Sequence, residues 1–441
     1  MAFTKTLAEM EQSVPESSTR EKINDLLDEN SFAELDKFLS ADGEVSSVVA
    51  GYGTIQGCSV YLFAQDGSVK GGAVNKSASL KIKRVYELAA KSGAPVIGMF
   101  NSKGGDMNEG MEVLRDYSDI LKASAAVSGV VPQIAVVNGV CAGCAAMLAE
   151  MADITVMTED AELFLTSPFN APDGKIEGAG KAANAAKSGV ADVVVKDADA
   201  AVALLKKLVP VLPMNNLTPG FSYEIPDTEA AISASMKGCD LVKALADNDS
   251  VVALGKEFGS AACTALASID GISAAIVSTG RAAKLTAADC AKIARFVHFA
   301  DAFSIPVVTL VDTEGFEPSS AAELAGSVRD AARLAQVYAA STTVKVNVIT
   351  GKAFGGAFAA FDSADVTYAW ENAQIAPMSP EAGKVFTGEE PVTNPFAAAS
   401  LGMVDGVIAA ADTRDAVCKA LDFLDSKRVA SPARKHANFV F

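Results

Sequence analysis

"MADITVMTEDAELFLTSP" (151–168) and "SADVTYAWENAQIAPMSP" (363–380) align without a gap, 212 residues apart. Ala152/Ala364, Asp153/Asp365, Thr155/Thr367, Glu159/Glu371, Ala161/Ala373, Ser167/Ser379 and Pro168/Pro380 are identical. Self-similarity at a fixed interval marks a chain built from two copies of one design. The match spreads outward at the same offset. "CAGCA" (141–145) falls against "AFGGA" (353–357), pairing Gly143 with Gly355, Cys144 with Gly356 and Ala145 with Ala357. Upstream, "SGAPVIGMFNSKGG" (92–105) resembles "FSIPVVTLVDTEGF" (303–316). Downstream, "LGMVDGVIAAADTRDAVCKAL" echoes "SGVADVVVKDADAAVALLKKL".

Each copy reads the same way. An amphipathic helix, around 76–92 or 286–302, precedes a β-rich run, "PVIGMF" or "PVVTLV", that ends in a Gly-bearing loop. A second helix leads to "QIAVVNG" or "VKVNVIT". A small-residue turn then enters a helix, followed by "DITVM" or "DVTYA". Strands alternating with helices predict α/β units with a buried sheet. Residues 1–45 read as a helical lead-in, 46–225 as the N-terminal domain and 226–441 as the C-terminal domain. The stretch 210–245 is rich in turn formers and reads as the linker.

The 441 residues are half hydrophobic and about a fifth charged, so the chain is globular. A net charge of −17 argues against nucleic acid or anionic membrane as a general partner. Seven scattered Cys suit a reducing cytoplasm better than a disulfide framework. No signal peptide is visible, and no apolar run approaches the roughly 20 residues of a membrane helix.

The paired turns are the candidate site. A strand that ends in small residues and opens a helix leaves backbone N–H groups without intrahelical partners. Without bulky side chains, a ligand oxygen can approach those donors, the geometry of an oxyanion hole. A Gly pair in such a turn also serves tight packing, but two equivalent turns suggest two holes for two oxygens. Other candidates are weaker. Cys141-x-x-Cys144 has no second CxxC and no nearby His, so two packed thiols are the simpler reading than metal or redox chemistry. His298 reads as structural on a helix. "KSASLKIKR" (76–84) is a cationic cluster that suits either a solvated helix face or a phosphate contact. "SKGGDMNEG" (102–110) does not fit the P-loop pattern. Asp312 and Glu314 follow a core strand, where turn chemistry explains them as well as a site does.

Taken together, these motifs resemble the carboxyltransferase subunits of biotin-dependent acyl-CoA carboxylases. "EKINDLLDENSFAELD" (21–36), "GYGTIQGCSVYLFAQDGSVKGGAVNKSASLKI" (51–82), "SGVVPQIAVVNGVCAGCAA", "DAFSIPVVTLVDTEGFEP" and "VITGKAFGGAFAAFDSAD" carry the resemblance nearly end to end. It implies a duplicated crotonase-like β-β-α superhelix whose N-terminal half binds acyl-CoA and whose C-terminal half binds biotin. The implied site forms between the N half of one subunit and the C half of another, within a dimer or a trimer of dimers (a hexamer). It implies backbone N–H groups of Gly143 and Cys144 on the thioester oxygen, and those of Gly356 and Ala357 on the biotin ureido oxygen. Gly355, Phe354 and Phe358 would lie on the biotin side. Gly104, Gly105, Ala142, Lys76 and Lys81 would lie on the acyl-CoA side. Ala359 holds the position associated with acyl-chain choice in the family. Biotin supplies the base, so two His are no obstacle and no metal is needed.

The chain departs from the family in places. Cys144 stands where the family has Gly, "NSKGGDMNEG" lacks the family's Arg, and "NAAKSGVAD" (184–192) lacks its His. "ASMKGCD" (234–240) is not a biotinyl-lysine motif, so the expected partner is a separate biotin carboxyl carrier protein. A biotin carboxylase, or membrane decarboxylase subunits, would complete the system. The expected substrates are short-chain acyl-CoA thioesters of the propionyl or acetyl type, with decarboxylation of methylmalonyl-, malonyl- or glutaconyl-CoA as the reverse alternative. A biotin-independent crotonase-type enzyme and an inactive scaffold subunit are the remaining readings.

Overall fold

The computed structural model describes residues 6–12, 14, 17–41, 44–167, 176–218, 230–430, 432–433, 436, 438 and 440. The chain divides into two units, Met1–Thr218 and Pro219–Phe441. The first begins with helices α1 (Leu7–Gln12) and α2 (Ser18–Leu26). The lead-in is then not helical, as the sequence suggested, but extended. β1 (Ala33–Leu35) pairs antiparallel with β4 (Val48–Ile55), while β2 (Ser40–Ala41) and β3 (Glu44–Val45) form a small pair of their own. This segment supplies the edge strand of the sheet.

From there the elements follow the expected alternation. β5 (Cys58–Gln65) leads to α3 (Lys76–Ser92), β6 (Val96–Ser102), α4 (Glu112–Val127) and β7 (Gln133–Ala142). Next come α5 (Cys144–Glu150), β8 (Ile154–Thr158), β9 (Glu162–Phe164), α6 (Ala182–Ser188), β10 (Val193–Val195) and α7 (Ala198–Val211). The sheet order is β1-β4-β5-β6-β7-β8-β10. β4 and β5 form an antiparallel hairpin, and β5 through β10 run parallel. Off this path, β9 pairs in parallel with the end of β7 (Ala142 opposite Phe164).

The second unit repeats the plan. α8 (Gly238–Leu245) precedes β11 (Val252–Leu254), β12 (Cys263–Ile269), β13 (Ile272–Ser278), α9 (Ala287–Ala302) and β14 (Val307–Thr313). Then follow α10 (Ser320–Leu324), α11 (Ser327–Ala340), β15 (Lys345–Phe354), α12 (Gly355–Phe361), β16 (Val366–Trp370), β17 (Gln374–Ala376), α13 (Pro380–Thr387), α14 (Pro395–Ser400), β18 (Gly406–Ile408) and α15 (Thr413–Leu424). The order β11-β12-β13-β14-β15-β16-β18, with β17 on β15, matches the first sheet strand for strand. The duplicated crotonase-like fold is thus present in both halves.

The supposed linker is partly structured. Residues 210–211 belong to α7 and 238–245 form α8, because Leu241, Val242, Ala244 and Leu245 give that helix a buried face. Residues 219–229 of the proposed linker, and Pro168 of the opening match, lie outside the described residues.

Equivalent carboxylates explain why the copies share a backbone. Asp28 accepts from Thr54 Oγ1 and the Gln56 and Gly57 N–H groups at the first hairpin. Asp247 does the same for Ser268, Asp270 and Gly271. Asp153 accepts from Gln133 N–H, and Asp365 from Lys345 N–H, fixing β8 and β16 beside the long strands. Asp192 and Asp405 repeat the pattern one strand further, on Thr155 and Thr367. Buried backbone donors need acceptors, and each carboxylate supplies one where a ladder ends.

Cysteine usage departs from expectation. Cys239 and Cys263 form a disulfide (Cα–Cα 5.5 Å), because α8 packs against β12 and brings them together. Cys141, Cys144, Cys290 and Cys418 are free thiols. No helix among the described residues is long and apolar enough to cross a membrane.

Candidate active site

In the first unit, β7 ends at Ala142 and α5 begins at Cys144, with Gly143 between them at φ 63°, ψ −125°. A side chain is strongly disfavoured in that conformation, so the turn requires Gly. Beside it lies the loop that follows β6. Gly104 has φ 111°, and a Cβ there would sit 3.8 Å from the Ala142 carbonyl. Gly104, Gly105, Ala142, Gly143 and Cys144 are therefore brought together. The loop is pinned on both sides. Ser102 Oγ donates to the Gly104 carbonyl (3.2 Å) and accepts from its N–H (3.1 Å). Val74 N–H also donates to the Gly104 carbonyl (2.9 Å).

The second unit rebuilds this arrangement. Thr313 Oγ1 replaces Ser102, donating to the Gly315 carbonyl and accepting from its N–H, both at 3.2 Å. Leu285 N–H replaces that of Val74, donating to the same carbonyl at 2.9 Å. β15 ends at Phe354, and α12 opens at Gly355 with φ +62°. Lys284, Glu314, Gly315, Phe354, Gly355 and Gly356 line a cleft of about 270 Å³, closed on one side by 377–379. A Cβ at Gly355 would stand 3.1 Å from the Pro377 carbonyl, so this Gly is needed for space as well as for its backbone.

The structure sorts the proposed donors. The Gly143 N–H is not free, because it donates to the Phe164 carbonyl (2.9 Å) where β7 meets β9. The open donor of the first turn is Cys144 N–H, which has no acceptor among the described residues. In the second turn Gly356 is exposed, whereas Ala357 is fully buried, so Gly356 N–H is the one a ligand can reach. Phe354 lines the second cleft. Phe358, one helical turn on, is buried and does not line it. Ala359 is exposed on α12.

The cationic cluster divides. Lys81 is 2% exposed, and its ammonium donates to the Val48 carbonyl (2.9 Å), so it is a core residue and not a phosphate contact. Burial lowers its pKa. Lys292 is its partner in the second unit, donating to the carbonyls of Gly255, Gly259 and Ala262, and burial brings it down to about 8. Lys76 is exposed at the start of α3, but its N–H is already taken by the Glu109 carboxylate at 3.0 Å. Glu109 lies beside Asp116, whose carboxyl is raised to about 6 by burial and then by Glu109. That anionic pair disfavours a phosphate on the helix N-terminus.

Cys141 is buried, and desolvation pushes its thiol up to about 12, which leaves it inert beside the half-buried Cys144. His298 lies on the exposed face of α9. Glu314 lines the second cleft and Asp312 lies two residues before it, both in ion pairs: Lys237 Nζ meets Asp312 at 2.7 Å and Lys352 Nζ meets Glu314 at 2.5 Å. The bond from Lys352 to Glu314 raises the lysine pKa. Among the described residues, no group of three or more His, Cys, Asp or Glu stands close enough to hold a metal ion.

Comparison with known proteins agrees with this duplicated geometry. The carboxyl transferase domain model matches residues 16–388 and 382–439. The chain belongs to the carboxyl transferase family. It is 34% identical to the propionyl-CoA carboxylase beta chain of Roseobacter denitrificans, over 96% of this chain and 93% of that one. It is 33% identical to the methylmalonyl-CoA decarboxylase subunit alpha of Veillonella parvula, over 96% and 92%. The crystal structure of transcarboxylase 12S, a hexamer with hydrolysed methylmalonyl-coenzyme A bound, superposes with a TM-score of 0.91. It shares 31% identity and covers 99% of this chain and 94% of its own. The carboxyltransferase's two turns occupy equivalent strand ends in its two units.

Proposed function

We propose that this carboxyltransferase moves a carboxyl group between biotin on a separate carrier protein and the α-carbon of a short-chain acyl-CoA. The observation that carries the reading is the pair of equivalent turns, each with a Gly at positive φ and an unbonded N–H beyond it. One reaction with two developing oxyanions, on the thioester and on the ureido oxygen, needs two such donors. Cys144 N–H takes the first role and Gly356 N–H the second. Gly104, Gly105 and Ala142 border the thioester, with Lys76 at the outer edge of the acyl-CoA side. Gly355 and Phe354 shape the cleft for biotin, which enters as a substrate on its carrier. Ala359 faces out of α12, where a neighbouring subunit's acyl group would meet it.

The same groups serve the reverse direction. Similarity to a decarboxylase subunit alpha, nearly equal to that for the carboxylase beta chain, supports a second reading as the carboxyltransferase of a membrane-linked acyl-CoA decarboxylase. A homo-oligomer, a trimer of dimers, suits the exposed apolar side chains of both units. These are Met107, Met111 and Leu165 in the first unit and Leu324, Val385 and Phe386 in the second. We place the assembly in the cytoplasm, with a biotinylated carrier and either a biotin carboxylase or membrane subunits as partners. The test is a carboxyl-transfer assay with malonyl-, methylmalonyl- and glutaconyl-CoA, using free biotin or carrier as acceptor. Transfer from at least one is expected, and transfer from none refutes the reading.

A further inference from the structure

The second cleft holds a cation at a position where the first unit has an alanine. Among the described residues, Lys284 is the one cation lining it, and no carboxylate pairs with it. The neighbouring cations are already neutralised, Lys352 by Glu314 and Lys237 by Asp312. The backbone around Lys284 is fixed. Ala283 accepts from Glu314 N–H (2.7 Å), Leu285 N–H donates to the Gly315 carbonyl (2.9 Å) and Glu317 N–H donates to the Leu285 carbonyl (2.9 Å). The side chain therefore projects from a rung bonded to the Gly315 loop, in the same cleft as Gly355 and Gly356. The equivalent rung of the first unit precedes Val74 and carries Ala73, which has no charge to offer.

We propose that Lys284 is a catalytic residue of the biotin half-reaction, its ammonium stabilising the negative charge that develops on the ureido oxygen. This rests on the carboxyl-transfer reading above. In the step concerned, the bond between the carboxyl carbon and the ureido nitrogen breaks. Its electron pair stays with the ureido group and spreads on to oxygen, while the carboxyl leaves as CO2. The nitrogen then takes the α-proton of the acyl-CoA, and the pair left on carbon bonds CO2. No oxidant or reductant enters. One exposed N–H at Gly356 gives that oxygen a directed hydrogen bond, and a nearby cation adds a charge-assisted one. In transfer to biotin the ureido group binds neutral and its oxygen gains charge only as the nitrogen is deprotonated, so in that direction the ammonium acts mainly on the transition state.

The experiment compares wild type with Lys284→Ala and Lys284→Arg in transfer from methylmalonyl- or malonyl-CoA to free biotin. Losing an oxyanion donor from a closed site costs about 10²–10³ in rate, so loss of this solvent-facing one is expected to cost about tenfold in kcat. The KM for biotin should stay within about twofold, as expected when an interaction made only in the transition state is removed. Lys284→Arg should recover most of the rate. A second readout needs no turnover: calorimetric affinity for barbiturate, an anionic cyclic ureide, against 2-imidazolidone, a neutral one. Lys284→Ala should weaken barbiturate and leave 2-imidazolidone unchanged. Unchanged kcat, a change confined to KM, or equal barbiturate affinity in wild type and Lys284→Ala would overturn the proposal. A wild type that moves no carboxyl refutes the carboxyl-transfer reading instead, and the barbiturate comparison then judges Lys284 by itself.

Discussion

Gly356 and Gly355 are adjacent, yet the structure assigns them opposite sensitivities. Gly356 lies outside the positive-φ region, and a Cβ there would meet only Phe316 Cε2 at 3.8 Å, an ordinary contact. Alanine in a helix is favoured over glycine by up to about 1 kcal/mol, and by less in the first turn. For a unit of this size that corresponds to roughly 0 to +4 °C in melting temperature. Gly356→Ala should therefore fold at least as well as wild type. Gly355→Ala should not, because φ +62° is a left-handed conformation costing an L residue about 1–2 kcal/mol. Its Cβ would also press on the Pro377 carbonyl at 3.1 Å. The expected drop is roughly 2–8 °C.

Activity should rank the other way. A methyl group at Gly356 enters a cleft of about 270 Å³ beside the open N–H and holds a ligand oxygen off the donor. A displacement of about 1 Å can cost about 100-fold. Gly356→Ala should lose between tenfold and about 100-fold in transfer to free biotin, and Gly356→Val more, with the acyl-CoA KM unchanged. Chromatographic assay of the CoA products, together with thermal melts of each variant, separates the two effects. Wild-type turnover by Gly356→Val would refute the second oxyanion hole. A melt of Gly356→Ala more than about 5 °C below wild type would refute the open packing ascribed to that position.

Three further outcomes follow from the buried polar groups. Burial pushes the Asp247 carboxyl up, but bonds from Ser268, Gly271, Arg414 and Asp270 together hold it below its ordinary value. Its stabilisation is present above the unfolded pKa and lost as pH falls toward the lowered folded one, so Asp247→Asn should flatten the acid limb of a urea-melt series. That variant also strands Arg414 and should cost about 3–5 kcal/mol near neutrality. Lys292, at about 8, holds its proton less tightly folded than unfolded, so its contribution to stability rises as pH increases from 8 toward the ordinary lysine value. Lys292→Met should remove up to one proton from that slope in melts at pH 7.5 to 9.5. The buried Tyr117 hydroxyl has only a weak interaction with Ser102, so Tyr117→Phe should cost no more than about 1 kcal/mol. A larger loss would mean that the hydroxyl makes a full bond in the folded protein.

The fold was legible where period and caps agreed. α3 runs over 76–92 as the sequence predicts, between an Asn75 N-cap and a left-handed Gly93. α9 begins one residue inside its predicted span because Thr286 is the N-cap of a capping box with Asp289. β1 was not legible, since three residues carry no period and only the neighbouring hairpin makes them a strand. Lys81 misled for a related reason. In "KSASLKIKR" it reads as part of a charged face, yet it is three residues from Ala78 and four from Val85, on the buried side of the helix. Lys292, at the equivalent place in "AKIARF", was the available signal. The Gly143 donor failed because its partner, Phe164, belongs to a three-residue strand that lies beyond helix α5 and strand β8 in sequence. Backbone turns with positive φ were readable from Gly, but whether a given N–H is free is a tertiary fact.

Duplication provides an internal control on which residues serve the fold and which serve a ligand. The carboxylates that end ladders recur in both copies, as do the core lysines Lys81 and Lys292 and the Ser102/Thr313 clasp on the glycine loop. A change at any of these would leave a backbone donor or acceptor without its bond in one copy, so both copies keep them. The positions that diverge lie at the strand ends around the turns. Asn101 becomes Asp312, each beneath a glycine whose Cβ would strike it, Gly139 at 2.2 Å and Gly351 at 2.4 Å. Lys103 becomes Glu314, Val140 becomes Lys352, Ala73 becomes Lys284 and Cys144 becomes Gly356. Packing allows these changes because most of the side chains are at least partly exposed, so it does not dictate them. Their effect is electrostatic: Lys103 of the first glycine loop gives way to Glu314, while the second unit gains Lys352, paired with Glu314, and Lys284, which no carboxylate among the described residues pairs. Two frames with the same backbone donors thus differ in the charge they present. If both turns bound chemically equivalent groups, exchanging Ala73 and Lys284 between the copies would leave carboxyl transfer unchanged. The charge difference predicts instead that Ala73→Lys leaves transfer to biotin intact while Lys284→Ala slows it, and equal effects of the two substitutions would refute the division of labour between the halves.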